Sequence, residues 1–321
     1  MNRFLITKDH SSLFDKVLRE VGKMTIGIAA ICESNTPFAK IVFCADRLVS
    51  GQISFEAGNS KLKPLASNCW GMAATNYGLK SDMMLDKVKQ QLSGRNPKVK
   101  EVVELLAEEC KRVDREELER NVFSYNGMDY DYFNNNMGQH SRDFLNFIDQ
   151  QIRTYRQNEY RFQADFLIFG IDDFSTPHLY VVNQSGEYNS YDYIGYAAIG
   201  SGAAIAYSEM TKYVYSTQIN YIAALCQIYY AKILSQRGGA GQSTDLAVLH
   251  VTANPQNAEE KVYSVWLPAD NFELANLLDS FIRDIATAEG KVMTDTVKKI
   301  ASYLYTSEKE APKPPSDNKK Q

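Results

Sequence analysis

The isoleucine-rich run Ile26-Gly27-Ile28-Ala29-Ala30-Ile31 constrains the fold more than any other feature of this chain. It is too short for an ordinary helix, and a second apolar run, Ile41-Val42-Phe43-Cys44, follows across the turn formers Asn35-Thr36-Pro37. Short apolar runs bounded by turn signals are buried strands, so the pair predicts a hairpin. The second run ends in Ala45-Asp46-Arg47, where strand interior gives way to the polar turn Ser50-Gly51-Gln52. Two shorter strands are expected at 61–65 and 69–73, the first at a sheet edge or bend because Pro64 cannot donate to a ladder.

The pattern then turns helical. Leu79, Met83, Leu85 and Val88 fall at helical spacing among charged residues over 78–92. A break at Gly94-Arg95-Asn96-Pro97 precedes a second helix from Val99, whose charged stretch 111–120 is expected to run into solvent. Within 121–160 the Asn-, Met- and Tyr-rich run 125–136 shows no period, which predicts a structured surface excursion, with a lid or assembly element as the next reading. A nucleic-acid stacking platform is disfavoured by the acidic groups among its aromatics, and Phe144, Phe147, Ile148 and Ile152 then return to helical spacing.

A second strand set follows. Phe166-Leu167-Ile168-Phe169-Gly170-Ile171 and Leu179-Tyr180-Val181-Val182 read as partners, and Tyr196-Ala197-Ala198-Ile199 runs into Gly200-Ser201-Gly202. Glycines flanking one serine at a strand-to-helix junction let the backbone approach a ligand closely, or simply make a tight turn. Helical spacing resumes from Ala203 and again through Ile219, Ile222, Leu225 and Tyr229. Leu246-Ala247-Val248-Leu249 and Val262-Tyr263-Ser264-Val265-Trp266 form a closing strand pair, followed by helices expected within 271–287 and 293–305 and a disordered tail at 306–321. Two strand-rich layers with helices outside are the expected arrangement.

The balance of 35 basic and 39 acidic side chains, a net charge of -4, leaves no broad electrostatic footprint for nucleic acid or an anionic membrane. No stretch approaches the roughly 18 to 20 apolar residues that cross a bilayer, and charges run through residues 1–23 where a signal peptide would be apolar, so a cytoplasmic location is expected. Cys32, Cys44, Cys69, Cys110 and Cys226 are too scattered for a disulfide framework or a CxxC site, and most should be buried thiols. His10, His140, His178 and His250 form no metal-ligand spacing, and no metal site is predicted.

Taken in order, Thr25-Ile26-Gly27-Ile28-Ala29, Ala45-Asp46-Arg47, Ser60-Lys61-Leu62-Lys63 and Gly71-Met72-Ala73-Ala74 resemble the first half of a proteasome β-type subunit. Phe169-Gly170-Ile171-Asp172, Leu179 to Val182 with Ser185-Gly186, and Ala198-Ile199-Gly200-Ser201-Gly202 resemble the second half. The resemblance spans about residues 24–266, with a longer connection at 112–161. It implies a divergent, bacterial-type member of the proteasome-like N-terminal-nucleophile (Ntn) hydrolases. The implied fold is α+β, a four-layer α-β-β-α sandwich. The implied domain plan is a leader or annotation extension at 1–23, one domain at 24–305 with an insertion at about 112–161, and the tail.

The resemblance also implies a site. Thr25 takes the nucleophile position, Lys61 the neighbouring cation, Asp46 its orienting carboxylate and Ser201 the serine beside the α-amine, with an oxyanion donor in the backbone near Ala74. No cofactor is implied. Each residue also has an ordinary reading: Thr25 as a strand residue, Asp46 with Arg47 as a surface pair, Lys61 as a solvated edge charge, and Ser201 as a turn residue. The sequence departs from the family at the junction Gly22-Lys23-Met24-Thr25, which lacks the Gly-Thr processing pair. One alignment puts Met24 at the nucleophile position. Ala74 stands for a glycine, and no aspartate lies near Gly239. Asp245 is either a substitute carboxylate or a strand-start residue. Two functions remain: a threonine-type peptidase or amide hydrolase working through an acyl-enzyme, or a non-catalytic subunit that builds or gates an assembly. Either is expected to self-associate into a ring or other closed assembly.

Overall fold

The computed structural model of the chain describes residues 25–46, 48–49, 55–56, 61–158, 161–172, 176–212, 214–236, 244–254 and 257–266, with Leu277, Leu278, Ser280, Ile300 and Ser302 beyond them. The leader at 1–23, nearly all of the expected terminal helices, and the tail lie outside the described residues.

Two five-stranded sheets and several helices give an α+β fold. The first sheet contains β1 (Gly27–Cys32), β2 (Lys40–Asp46), β10 (Tyr196–Ile199), β11 (Thr244–Asn254) and β12 (Asn257–Trp266), in the order β10-β1-β2-β11-β12. The second contains β5 (Lys63–Ala66), β6 (Cys69–Thr75), β7 (Ala164–Asp172), β8 (Thr176–Asn183) and β9 (Tyr188–Ser190), in chain order. A two-residue pair, β3 (Leu48–Val49) and β4 (Phe55–Glu56), lies outside both. All neighbours pair antiparallel. Pro64 lies on β5, at the edge of its sheet, where its missing donor costs no ladder bond.

The apolar runs are continuous because both faces of their strands are covered. From β1 and β2, Ala29, Ile31, Ile41 and Phe43 meet Met72, Leu167, Phe169 and Leu179 of the second sheet. Phe43 and Phe169 stack with ring centroids 5.2 Å apart across this layer. Their alternates Ile28, Ala30, Val42 and Cys44 face the other way, into a second core with α5 (Ala203–Lys212) and α6 (Tyr221–Gln236). On β7, Phe166 and Ile168 turn instead to α1 (Gly78–Gln91) and α2 (Val99–Leu118). Each such buried Phe, Leu or Ile contributes about 1.5–3 kcal/mol by removal from water, so a strand covered on both faces is fixed in register. Gly27 lets the sheets approach closely: a Cβ there would sit 2.5 Å from Met72 Sδ.

The charged stretch 111–120 exposes Lys111, Arg112, Arg115, Glu116 and Arg120 to solvent as expected, but keeps one face packed. Val113 and Leu118 remain buried, and a π-helical turn at Glu119–Phe123 redirects the chain. Leu118, Val122 and Phe123 then join Phe133 of α3 (Tyr130–Asn135) and Ile148 of α4 (Arg142–Gln157) in a small core of their own. Asp129 caps α3 by accepting from Tyr132 N, and Ser141 caps α4 by accepting from Phe144 N at 3.2 Å. The aperiodic segment is therefore an ordered helical substructure.

His178 ties the far end of the second sheet to a helix start. Its Nδ1 lies 2.7 Å from Asp192 Oδ2 and its Nε2 lies 3.5 Å from Asp172, which itself accepts from Val99 N at 2.7 Å. The hydrogen bond to Asp192 holds the imidazole above its ordinary value, and the nearby Asp192 and Asp172 charges add to this against the opposing effect of burial. Among the described residues no helix is long and apolar enough to cross a membrane.

Candidate functional site

At one end of the first sheet, three adjacent strands bring chemistry-bearing side chains together. Thr25 lies two residues before β1 and is partly exposed. Because β10 pairs with β1 through Gly27 and Ile199, the turn Gly200-Ser201-Gly202 leaves β10 directly beside it. Thr25 N donates to Ser201 Oγ at 3.1 Å, and Thr25 O accepts from Gly202 N at 3.3 Å. Gly200 has φ +92°, and a Cβ there would lie 2.1 Å from Thr25 O and 3.4 Å from Ala74 Cβ. Ala74 of the facing sheet thus borders the same turn. From below, Ser235 of α6 lies within hydrogen-bond distance of Gly202 O, at 3.2 Å, and Ala231 O, at 2.8 Å, bracing the turn.

Asp46 ends β2 on the other side of β1. Its main-chain N donates to Ile26 O at 3.1 Å, and its Oδ1 accepts from Ile26 N at 3.2 Å and from Lys61 Nζ at 3.0 Å. The Asp46 side chain is 0% exposed and that of Lys61 15%. A carboxylate without solvent exposure, bonded to the strand beside it, is not a surface pair, and an ammonium seated on it is not a solvated edge charge. The structure brings Thr25, Asp46, Lys61 and Ser201 into one region, linked through β1.

Two further charged residues join them. Asp245, on β11 opposite Ala45, accepts from Lys61 N at 3.1 Å through its Oδ2 and is fully buried. Lys232 of α6 is also fully buried and donates to Thr244 Oγ1. Asp245 was legible as an acidic residue opening a strand, but its strand-start position is itself what points it at Lys61. Lys232 carried a clearer signal: it is the one charged residue in Tyr-Ile-Ala-Ala-Leu-Cys-Gln-Ile-Tyr-Tyr-Ala-Lys-Ile-Leu-Ser-Gln. Such a residue in an apolar helix is either a liability or a partner for buried acid.

All five cysteines are free and buried. Burial pushes the Cys44 thiol up to about 12, with Lys232 opposing and Asp245 and Asp46 reinforcing.

The site depends on a backbone conformation that tolerates no side chain at Gly200. Gly200→Ala places a methyl group on Thr25 O at a φ that L residues rarely adopt. We expect it to lower stability by roughly 3 kcal/mol and to displace Ser201 from Thr25. Urea unfolding and the amide chemical shift of Thr25 measure the two effects.

A model of the proteasome subunit family matches residues 138–225. That stretch runs from the entry to α4 through β7 to β10 and α5 into α6, and it includes Ser201 but not Thr25, Asp46 or Lys61. No curated protein matches the chain. The family match supports a proteasome-like assignment, on a stretch that includes one edge of the site.

Proposed function

We propose that this proteasome-like chain is a threonine-type peptidase or amide hydrolase of the Ntn class, with its two sheets and flanking helices arranged as the four-layer α-β-β-α sandwich of that class. One domain would span 24–305, with the helical substructure as an insertion within 112–161. The observation that carries the reading is the placement of Asp46: one carboxylate oxygen holds both the start of the Thr25 strand, through Ile26 N, and the Lys61 ammonium.

In this reading the chain preceding Thr25 is absent from the active form, which frees the Thr25 α-amine beside Ser201. An α-amine titrates near 7.7 to 8.0 and serves as a base where an alcohol alone is a poor nucleophile. The amine takes the Thr25 Oγ proton, directly or through water, as Oγ attacks the substrate carbonyl carbon. Negative charge passes to the carbonyl oxygen, and the main-chain N–H near Ala74 receives it. Collapse of this intermediate breaks the C–N bond, and the α-ammonium returns its proton to the departing amine. The product is an ester on Thr25 Oγ. Water, deprotonated by the same amine, then attacks the ester, and the α-ammonium returns that proton to the departing Thr25 Oγ as the acid is released. Lys61 Nζ lowers the energy of charge developing at Oγ, and Asp46 fixes where it points. Ser201 orients the amine. Acyl transfer of this kind calls for no cofactor.

A β-lactone that acylates hydroxyl nucleophiles tests the reading. The expected result is a single adduct, mapped by peptide sequencing to an N-terminal Thr25. A full-length chain without adduct at saturating lactone would instead favour the second reading, a non-catalytic subunit in a ring or other closed assembly. That reading draws support from Lys23-Met24 where processed relatives carry glycine. Both readings place the protein in the cytoplasm, consistent with its five free thiols.

A further inference from the structure

The second sheet enters the proposed mechanism only through a main-chain donor near Ala74, yet it ends beside the site in a row of side chains. Ala74 pairs with Asp165 across the β6–β7 ladder, and Asp165 pairs with Asn183 across the β7–β8 ladder. Residues directly opposite one another share a face of the sheet. Met72, Ala74 and Leu167 pack against the first sheet, whereas Ala164 and Phe166, on either side of Asp165, pack towards α1 and α2. Alternation along β7 therefore turns Asp165 to the first sheet, in line with Ala74. A Cβ on Gly200 would lie 2.1 Å from Thr25 O and 3.4 Å from Ala74 Cβ, and opposed Cβ atoms are about 4.5–5.5 Å apart, so Asp165 Cβ is no more than about 11 Å from Thr25 O. That is about three residues of extended chain.

Asp165 is exposed at this strand end. Among the described residues its side chain makes no ion pair and no hydrogen bond. Asn183, next in the row, is committed to its own turn: its Oδ1 accepts from Ser185 N at 2.9 Å and Glu187 N at 3.0 Å, and its Nδ2 donates to Glu187 at 3.0 Å. Although Asp165 reaches solvent, neighbouring atoms desolvate its carboxyl and hold it above its ordinary value. A cation brought to it from outside acts in the opposite direction.

We propose that Asp165 is a specificity-determining residue that selects substrates with a lysine or arginine on the leaving side of the cleaved bond. The side follows from the proposed reaction. The departing amine must reach the α-ammonium that protonates it, and that group lies at Ser201, in the turn that borders Ala74. The departing chain then passes Ala74 towards Asp165, which puts its first or second residue within reach of the carboxylate. A basic side chain there meets an acceptor with no competing partner among the described residues, and an acidic one meets a like charge. The inference rests on the hydrolase reading for where the substrate lies, and on the placement of Asp165 alone for the preference for a cation.

Internally quenched peptides that differ only in the first or second residue after the cleaved bond, lysine, norleucine or glutamate, test it. The lysine peptide should exceed the norleucine peptide about 10-fold in kcat/KM, the scale of one charge-assisted hydrogen bond, and the glutamate peptide should be the poorest. In Asp165→Asn the lysine-to-norleucine ratio should fall to within about twofold, and in Asp165→Lys the order should invert in favour of glutamate. These are ratios within one preparation, so partial loss of folded protein does not move them. An unaltered protein without the lysine preference, or a preference that survives Asp165→Asn, overturns the proposal. Calorimetric binding of the same peptides to Thr25→Ala protein, with and without Asp165→Asn, reads the preference without turnover, and the same ratios are expected in Kd. Absence of turnover with every peptide, together with a lysine preference in binding that Asp165→Asn removes, refutes the hydrolase reading and leaves Asp165 as a cation-binding residue. Equal or undetectable binding of all the peptides overturns the proposal whether or not the protein is an enzyme.

Discussion

Replacing Thr25 by alanine is expected to reduce turnover by roughly 10⁴-fold or more, the scale of losing a nucleophile, while shifting stability by less than about 1 kcal/mol. The asymmetry follows from what Thr25 contributes to the fold. Its contacts to the Gly200 turn run through main-chain atoms, N to Ser201 Oγ and O from Gly202 N, and both survive truncation of the side chain. The residue lies outside β1 and is partly exposed, so no buried apolar contact is lost. A fluorogenic peptide assay beside urea unfolding separates the two quantities. Retained turnover in Thr25→Ala would send the search to another nucleophile.

That expectation is tied to the covalent state of the chain. A Thr25 within a peptide bond has an amide nitrogen, which is no base, so activity requires Thr25 to be first. Self-cleavage of 1–24 is one route. Translation from Met24 with removal of that methionine is the other, and the junction Lys23-Met24-Thr25 favours it. Intact-mass measurement on protein from its native cell should return a chain beginning at Thr25. An active preparation still carrying the leader would refute the mechanism.

How much of this was legible differs by element, for physical reasons. β1, β2 and β7 were readable because burial on both faces demands unbroken apolar runs, and such runs stand out from any background. The stretch 119–139 was not, because its order is assembled from pieces too short to show a period, whereas the helical spacing of Phe144, Phe147, Ile148 and Ile152 did show α4. α3 has six residues, a π-helical turn precedes it, and a small core gathers one or two side chains from each. The cap at Asp129 was visible as a residue but not as a cap, since the six-residue helix that follows it shows no period. In the site, Thr25, Asp46, Lys61 and Ser201 were found through their motifs. Asp245 and Lys232 belong to no motif; Asp245 is placed by pairing across the β2–β11 ladder and Lys232 by burial on α6, which spacing along the chain does not encode.

The same contrast between local and long-range contacts sets the largest expected stability effect, at Asp46. Asp46→Ala removes the acceptor for two donors at once, the Ile26 N–H, whose residue is fully buried, and the Lys61 ammonium, whose side chain is 15% exposed. Breaking a buried pair by deleting one partner costs about 3–5 kcal/mol, because the remaining charge has lost its compensation. An unsatisfied N–H adds about 1–3 kcal/mol, partly offset where water enters the vacated volume. A net loss of about 4 kcal/mol is therefore expected, large enough to approach the whole stability of many domains. Asp46→Asn separates the parts. Its side-chain carbonyl can still accept from Ile26 N, so the strand start is kept and the cost should fall to about 2 kcal/mol, while the negative charge that holds Lys61 is gone. If Asp46 serves the fold alone, turnover should recover in Asp46→Asn along with stability. If it serves to fix the Lys61 ammonium, turnover should stay at least about 100-fold down in both variants although one has regained about half of the lost stability. Unfolding curves and kcat measured on the same preparations of the two variants decide between these outcomes.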